Sequence, residues 1–118
     1  MKGGYMNKSL TDEWGTPIGL YVGMCKEFDI MPELDVCATP TNSKCEKFYD
    51  KNIDGLTQEW SCDFFMNPPF SKAKFWIQKA FEEHRKYNVN GMAVLAARTD
   101  TKAWHNYILN QANCEVMF

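Results

Sequence analysis

Two kinds of apolar pattern alternate along this chain, repeats at helical spacing and short continuous runs. Thr16-Pro17 reads as a helix start, with threonine as N-cap and proline in the first turn, and Leu20, Met24 and Phe28 then recur up to about Asp29. A short strand is predicted around Leu34–Ala38, followed by a polar, turn-like stretch over 39–47. Lys47-Phe48-Tyr49 reads as a brief strand closing at Asp50, and Asn52 to Leu56 as a turn. Cys62-Asp63-Phe64-Phe65-Met66 is an apolar run of buried-strand type. A helix follows from Ser71, its cap, with Phe75, Ile77, Ala80, Phe81 and His84 sharing a face, and Asn88-Val89-Asn90-Gly91 ends it with glycine at a turn. Met92 to Ala97 is a second buried-strand run, Arg98-Thr99-Asp100-Thr101 its rim, and Lys102–Leu109 a helix capped by Thr101. Strands alternating with helices predict a mostly parallel α/β sheet. Residues 1–12 read as an irregular arm and 13–118 as a single domain. The chain stops inside an apolar strand, Cys114 to Phe118, which reads as a sheet cut short at its carboxyl end, either a naturally clipped domain or a fragment.

Composition narrows the classes. With 118 residues, 45% hydrophobic and 14% aromatic, the chain has room for one core and fits a globular domain. No apolar run approaches the roughly 20 residues of a spanning helix, and Met1 to Met6 lacks a signal peptide's apolar stretch, so a cytoplasmic protein is expected. Five cysteines, an odd number without a C-x-x-C pair, argue against a disulfide framework or a zinc site and read as small core residues. Neither histidine is expected to ligate metal, and His84 reads as a core-edge or surface residue. Net charge is −2, which weighs mildly against nucleic-acid binding by the whole surface. Lys72 and Lys74 just after the run ending in Met66, and Arg98 and Lys102 after the run ending in Ala97, still form a local basic rim. Solvated lysines at a helix start are the competing reading.

The most informative residues are Asn67-Pro68-Pro69-Phe70, at the carboxyl end of the run ending in Met66. In an open α/β sheet that rim is where ligands bind. Two prolines fix φ and remove two backbone donors, leaving a stiff turn with outward carbonyls. An amide side chain, a free carbonyl and an aromatic face suit a flat guest carrying an amino group. The Asn67 amide oxygen and the Pro68 carbonyl can accept both N–H hydrogens while Phe70 stacks on the ring. That is the pattern of a base-methylation site.

Five blocks in order carry a family likeness. They are Glu13-Trp14-Gly15-Thr16-Pro17, Asp35-Val36-Cys37-Ala38, Asp54-Gly55-Leu56 ahead of Trp60, Asn67-Pro68-Pro69-Phe70-Ser71, and Arg98-Thr99-Asp100-Thr101-Lys102-Ala103-Trp104. Together they resemble the phage-type DNA N-6-adenine methyltransferases. The resemblance implies a Rossmann-like methyltransferase sheet, S-adenosylmethionine as cofactor, double-stranded DNA as partner and, for a phage or prophage gene, the bacterial host cytoplasm. Trp14, Thr16, Pro17, Asp35, Cys37, Asp50 and Asp54 are then the cofactor side. Asn67, Pro68, Pro69 and Phe70 form the catalytic turn, with Ser71, Lys72, Lys74, Arg98 and Asp100 toward DNA. No metal and no membrane are implied, and oligomeric state is left open.

On spacing alone, Asp35 is as well explained as a turn-capping aspartate, Asp54 as a turn-forming Asp-Gly, and Arg98 with Asp100 as a structural ion pair. Ala38-Thr39-Pro40-Thr41-Asn42 stands where many methyltransferases carry a glycine-rich loop. Two further functional readings stay open. A protein glutamine side chain also presents a planar NH2 to such a turn, and a catalytically inactive remnant would bind cofactor or DNA only.

Overall fold

The computed structural model describes residues 2–5, 15–95 and 115–117, with side chains placed for 15–69 and 71–95. In chain order the elements are β1 (Lys2–Tyr5), α1 (Ile18–Phe28), β2 (Leu34–Asp35) and β3 (Lys47–Phe48), then a 3-10 turn (Gly55–Thr57) and β4 (Phe64–Met66). A second 3-10 turn (Phe70–Lys72), α2 (Ala73–Tyr87), β5 (Gly91–Leu95) and β6 (Glu115–Met117) complete them. The strands form one sheet in the order β3-β2-β4-β5-β1-β6, every described pair parallel. The predicted parallel α/β architecture is therefore what the chain adopts.

Strand alternation sorts the core into two layers, because successive side chains point to opposite faces. Phe64 and Met66 of β4 and Ala93 and Leu95 of β5 pack with Trp76, Ile77 and Ala80 of α2. Phe65, Met92 and Val94 face the other way, against Tyr21, Met24 and Phe28 of α1. With both faces covered, the central strands read as continuous apolar runs. Both helices end on a left-handed residue, Asp29 at φ 54° and Asn88 at φ 55°, types that tolerate this conformation.

Several local expectations are corrected. Lys2–Tyr5, expected within an irregular arm, is a strand between β5 and β6. Thr16 does not cap α1: Pro17 holds the N-cap position without a side-chain cap, and the Thr16 hydroxyl bonds elsewhere. Ser71 does not cap α2 either; it lies in the 3-10 turn, and the helix starts at Ala73. The buried stripe of α2 is Ala73, Trp76, Ile77, Ala80 and Glu83, whereas Phe75 is 51% exposed. Glu83 is buried because its Oε1 accepts the Trp60 N–H at 2.7 Å and meets Lys79 Nζ at 3.5 Å. Gly91 is not the helix-ending turn residue but the first of β5, where an added Cβ would lie 2.3 Å from the Phe64 ring. His84 is half-buried, with Nδ1 2.6 Å from the Val89 carbonyl, which fits its core-edge reading. The rim 98–101 and the helix 102–109 lie outside the described residues.

Candidate functional site

Parallel strands put all their carboxyl ends on one edge, and the site forms there. From β2 the chain goes out to β3, then returns past β2 to β4 and on to β5. The order therefore reverses between β2 and β4, the position where open α/β sheets bind ligands. Asp35 ends β2 and Asn67 follows β4, and the two strands pair with Asp35 opposite Phe65. A cavity of about 950 Å³ opens at this point. It brings together Thr16, Asp35, Cys37, Asp50, Asp54, Asn67, Pro69 and Lys72 from five separate stretches of sequence.

On the β2–β3 side the loops are held by their own polar side chains. Asp35 Oδ2 accepts the Lys44 amide at 2.9 Å and Oδ1 the Cys37 amide at 3.3 Å. Asn42 Oδ1 accepts the Thr39 amide at 2.7 Å, closing the segment that stands in place of a glycine-rich loop. Asp50 Oδ1 accepts the amides of Asn52 and Ile53, and Asp54 Oδ1 that of Leu56. The turn-capping readings of Asp35 and Asp54 thus describe real contacts, made by residues that also line the cavity. Asp35 is 2% exposed, and burial pushes its carboxyl up from 3.8 to about 6 against the lowering effect of the two amides.

The Asp54-Gly55-Leu56 turn is clamped from below. Trp60 Nε1 donates to the Gly55 carbonyl at 2.9 Å, and Trp60 stacks on Trp76 at 6.0 Å between centroids. Gly55 is required here by close approach, since a Cβ would lie 2.2 Å from the Val36 carbonyl oxygen and 3.1 Å from the Trp76 ring. Trp76 itself forms part of the cavity wall.

On the β4 side the turn is uncharged. Asn67 Nδ2 donates to Thr16 Oγ1 at 2.8 Å, a contact spanning 51 positions in sequence between two cavity residues. Pro68, expected to offer an outward carbonyl, is buried and does not line the cavity, and the Pro69 carbonyl accepts the Lys72 amide at 3.1 Å, turning the chain into the 3-10 segment. Of the remaining expected residues, Pro17, Ser71 and Lys74 are exposed at the helix starts and do not line the cavity. Trp14, Arg98, Asp100 and the side chain of Phe70 lie outside the described residues.

Sequence reasoning passed over Thr39, Asn42, Lys44, Lys51 and Trp76 as lining residues. The stretch 39–47 reads as polar and turn-like, and Ala38–Asn42 stands at the position of a glycine-rich loop, but neither signal singles out which of its side chains reach the cavity. Cys25, Cys37, Cys45 and Cys62 form no disulfide, and burial pushes the Cys45 thiol up to about 11, which fits an inert packing residue at that position. Among the described residues no group of three or more His, Cys, Asp or Glu side chains could hold a metal, and no helix is long and apolar enough to cross a membrane.

A doubly covered parallel sheet with a cavity at its switch point, bounded by an acid ending one strand and the Asn-Pro-Pro turn after another, is a Rossmann-like methyltransferase architecture. The family model for DNA N-6-adenine-methyltransferase (Dam) matches residues 3–118, and the chain belongs to that family. It is also similar to the DNA N-6-adenine-methyltransferase of Escherichia phage T1, 30% identical over 108 residues. That alignment covers 87% of this chain and 43% of the relative, so the chain spans less than half the length of that protein. No solved structure matches it.

Proposed function

We propose that this chain methylates adenine N6 in DNA, taking the methyl group from S-adenosylmethionine and acting on a base turned out of the duplex. The observation that carries the reading is that Asn67 and Pro69 of the Asn-Pro-Pro turn line the same cavity as Asp35, Asp50 and Asp54.

The donor set suits the cofactor. A cavity of about 950 Å³ is at the upper end of small-molecule sites. Its Asp50 and Asp54 carboxylates can accept from ribose hydroxyls and an adenine amine, and Val36, Leu56 and Trp76 supply apolar wall. The lining carries three aspartates, Asp35, Asp50 and Asp54, and three lysines, Lys44, Lys51 and Lys72, a mixed charge set suited to a cofactor that bears both a carboxylate and cationic groups. When bound, the cofactor supplies an electrophilic methyl group on its sulfonium.

The residues of this chain do the rest. Adenine's amine is a poor nucleophile because its lone pair is delocalised into the ring. Asn67 Oδ1 and the Pro68 carbonyl accept its two N–H hydrogens, favouring a more tetrahedral nitrogen with its lone pair toward the methyl group. With the cofactor bound, these two acceptors would hold N6 toward the sulfonium methyl, whose transfer would form the N6–carbon bond, break the sulfur–carbon bond and leave a neutral thioether. One N6 proton then leaves to water, having become acidic only after transfer, so no strong base is needed. Phe70 stacks on the extruded base and offsets part of the few kcal/mol of unstacking. Ser71, Lys72 and Lys74, with Arg98 and Asp100, belong to the DNA side.

Transfer of labelled methyl to adenine-unmethylated DNA, analysed after digestion to nucleosides, tests the reading. Label in N6-methyl-2′-deoxyadenosine is expected. Label in protein glutamine would instead select the amide substrate, and cofactor binding without label in any product would select the inactive remnant.

A further inference from the structure

The segment from Cys37 to Cys45 runs along the cavity after β2, where many methyltransferases carry a glycine-rich loop. Such loops hold anionic groups with backbone amides that the chain itself leaves unused. Here the amides are already taken. Cys37 and Lys44 donate to Asp35, Ala38 to the Tyr49 carbonyl and Thr39 to Asn42 Oδ1. Asn42 and Ser43 donate to the Thr39 carbonyl, and Cys45 to Ser43 Oγ. Pro40 carries no N–H, and Thr41 is exposed and stands outside the cavity lining. A guest's carboxylate therefore meets no amide cradle in this loop, although leaving water still requires a partner for it.

Lys44 is the one cation of the segment, and it is half-buried on the cavity wall. Asp35 Oδ2 fixes its amide at 2.9 Å, and its Nζ donates to the Asn42 carbonyl at 3.0 Å. An ammonium has three donors, so that bond orients the group and leaves two N–H for a guest. Lys44 is in no ion pair among the described residues. Lys51 and Lys72, the other cations of the lining, are exposed, and Lys72 follows the Asn-Pro-Pro turn on the base side.

We propose that the Lys44 ammonium holds the α-carboxylate of S-adenosylmethionine, in place of the amide cradle this loop lacks. The Asp35 carboxylate, bonded to the Lys44 amide, gives the same corner the opposite charge, which suits the zwitterionic end of an amino acid. The proposal rests on the S-adenosylmethionine reading and adds to it the residue that recognises the cofactor's amino-acid end.

S-adenosylhomocysteine and its decarboxylated form, S-adenosyl-3-thiopropylamine, differ only in the carboxylate, so their relative affinity isolates what that group contributes. Calorimetric binding of both to the whole chain is the test. Wild type should prefer the carboxylate form by on the order of 10- to 100-fold, the range of a charge-assisted hydrogen bond. Lys44→Met and Lys44→Gln should lose that preference while binding the decarboxylated ligand within a few fold of wild type. Lys44→Arg should keep part of the preference, and Lys72→Met all of it. Equal weakening of both ligands in the Lys44 variants would make Lys44 a loop-shaping residue and overturn the proposal. An undiminished preference in Lys44→Met, or a wild type that binds both ligands alike, would overturn it too. A wild type that binds neither ligand would sink the S-adenosylmethionine reading itself and the proposal with it, a result distinct from any that removes Lys44 alone.

Discussion

On the β2–β3 side of the cavity, three aspartates and an asparagine fold their own loops, together accepting six backbone amides between Cys37 and Leu56. On the β4 side the turn has no charge and two prolines, and Asn67 bonds to Thr16, 51 positions away, along the cavity wall. The charged side is redundant: several short-range bonds shape each loop, so losing one relaxes the site gradually. The neutral side depends on single groups whose orientation decides whether a guest fits at all. That contrast suits the two guests proposed here, a polar cofactor held at many points and a base read by one amide.

Removing the single group should break the contrast most sharply. Asn67→Ala is expected to lower methyl transfer by on the order of 10²- to 10³-fold, the scale of deleting one preorganised polar group. Initial rates with labelled cofactor measure this, and a variant within a few fold of wild type would sink the base-holding role.

Next comes the clamp beneath the charged side. Gly55→Ala forces a methyl group against the Val36 carbonyl and the Trp76 ring, and should cost about 1–3 kcal/mol of stability. Denaturant unfolding reads it directly, and an unchanged midpoint would show that the turn can move off Trp76 without loss.

Asp35 sharpens the comparison through pH. Its carboxyl is raised to about 6 from 3.8, so between those values the folded chain holds more protons than the unfolded one. Its contribution therefore falls as pH rises from about 4 to about 6, by up to about 3 kcal/mol, opposite in sign to ordinary carboxylate-driven acid unfolding. Ionisation is what the Lys44 and Cys37 amides favour, so cofactor affinity should weaken as pH drops below about 6. Calorimetric titrations across pH 5 to 8 in wild type and Asp35→Asn test this, and a pH dependence preserved in the variant would assign it to another group.

Lys72 should give the smallest effect. It lines the cavity at the entrance to α2, and Lys72→Ala is expected to reduce the salt slope of DNA binding by about one. An unchanged slope would return it to the cofactor wall.

The sheet and the position of the Asn-Pro-Pro turn on its rim were legible because their causes are local. Continuous apolar runs mark strands buried on both faces, and Asn-Pro-Pro carries its own stiffness. What stayed hidden depends on partners distant in sequence. Thr16 before Pro17 has the form of a cap, yet its oxygen serves Asn67, and no local rule sees 51 positions ahead. The α2 face was misphased because a buried charged residue, Glu83, breaks the apolar period, while Phe75 and Phe81 suggest another stripe; Glu83 is explained only by Trp60. Gly91 suggested a turn because its small size is needed by the Phe64 ring of the neighbouring strand. Lys2–Tyr5 contains two glycines and shows no strand pattern of its own, its register coming from β5 and β6.

The central claim is that the two sides of the cavity have separable work, and measuring cofactor binding beside methyl transfer in Asn67→Ala and Asp35→Asn tests it most directly. Asn67→Ala should bind S-adenosylmethionine about as wild type does and transfer almost nothing, while Asp35→Asn should bind the cofactor weakly and recover transfer as cofactor is raised. Loss of cofactor binding in Asn67→Ala to the same degree as in Asp35→Asn, or transfer by Asn67→Ala at near the wild-type rate, would contradict it.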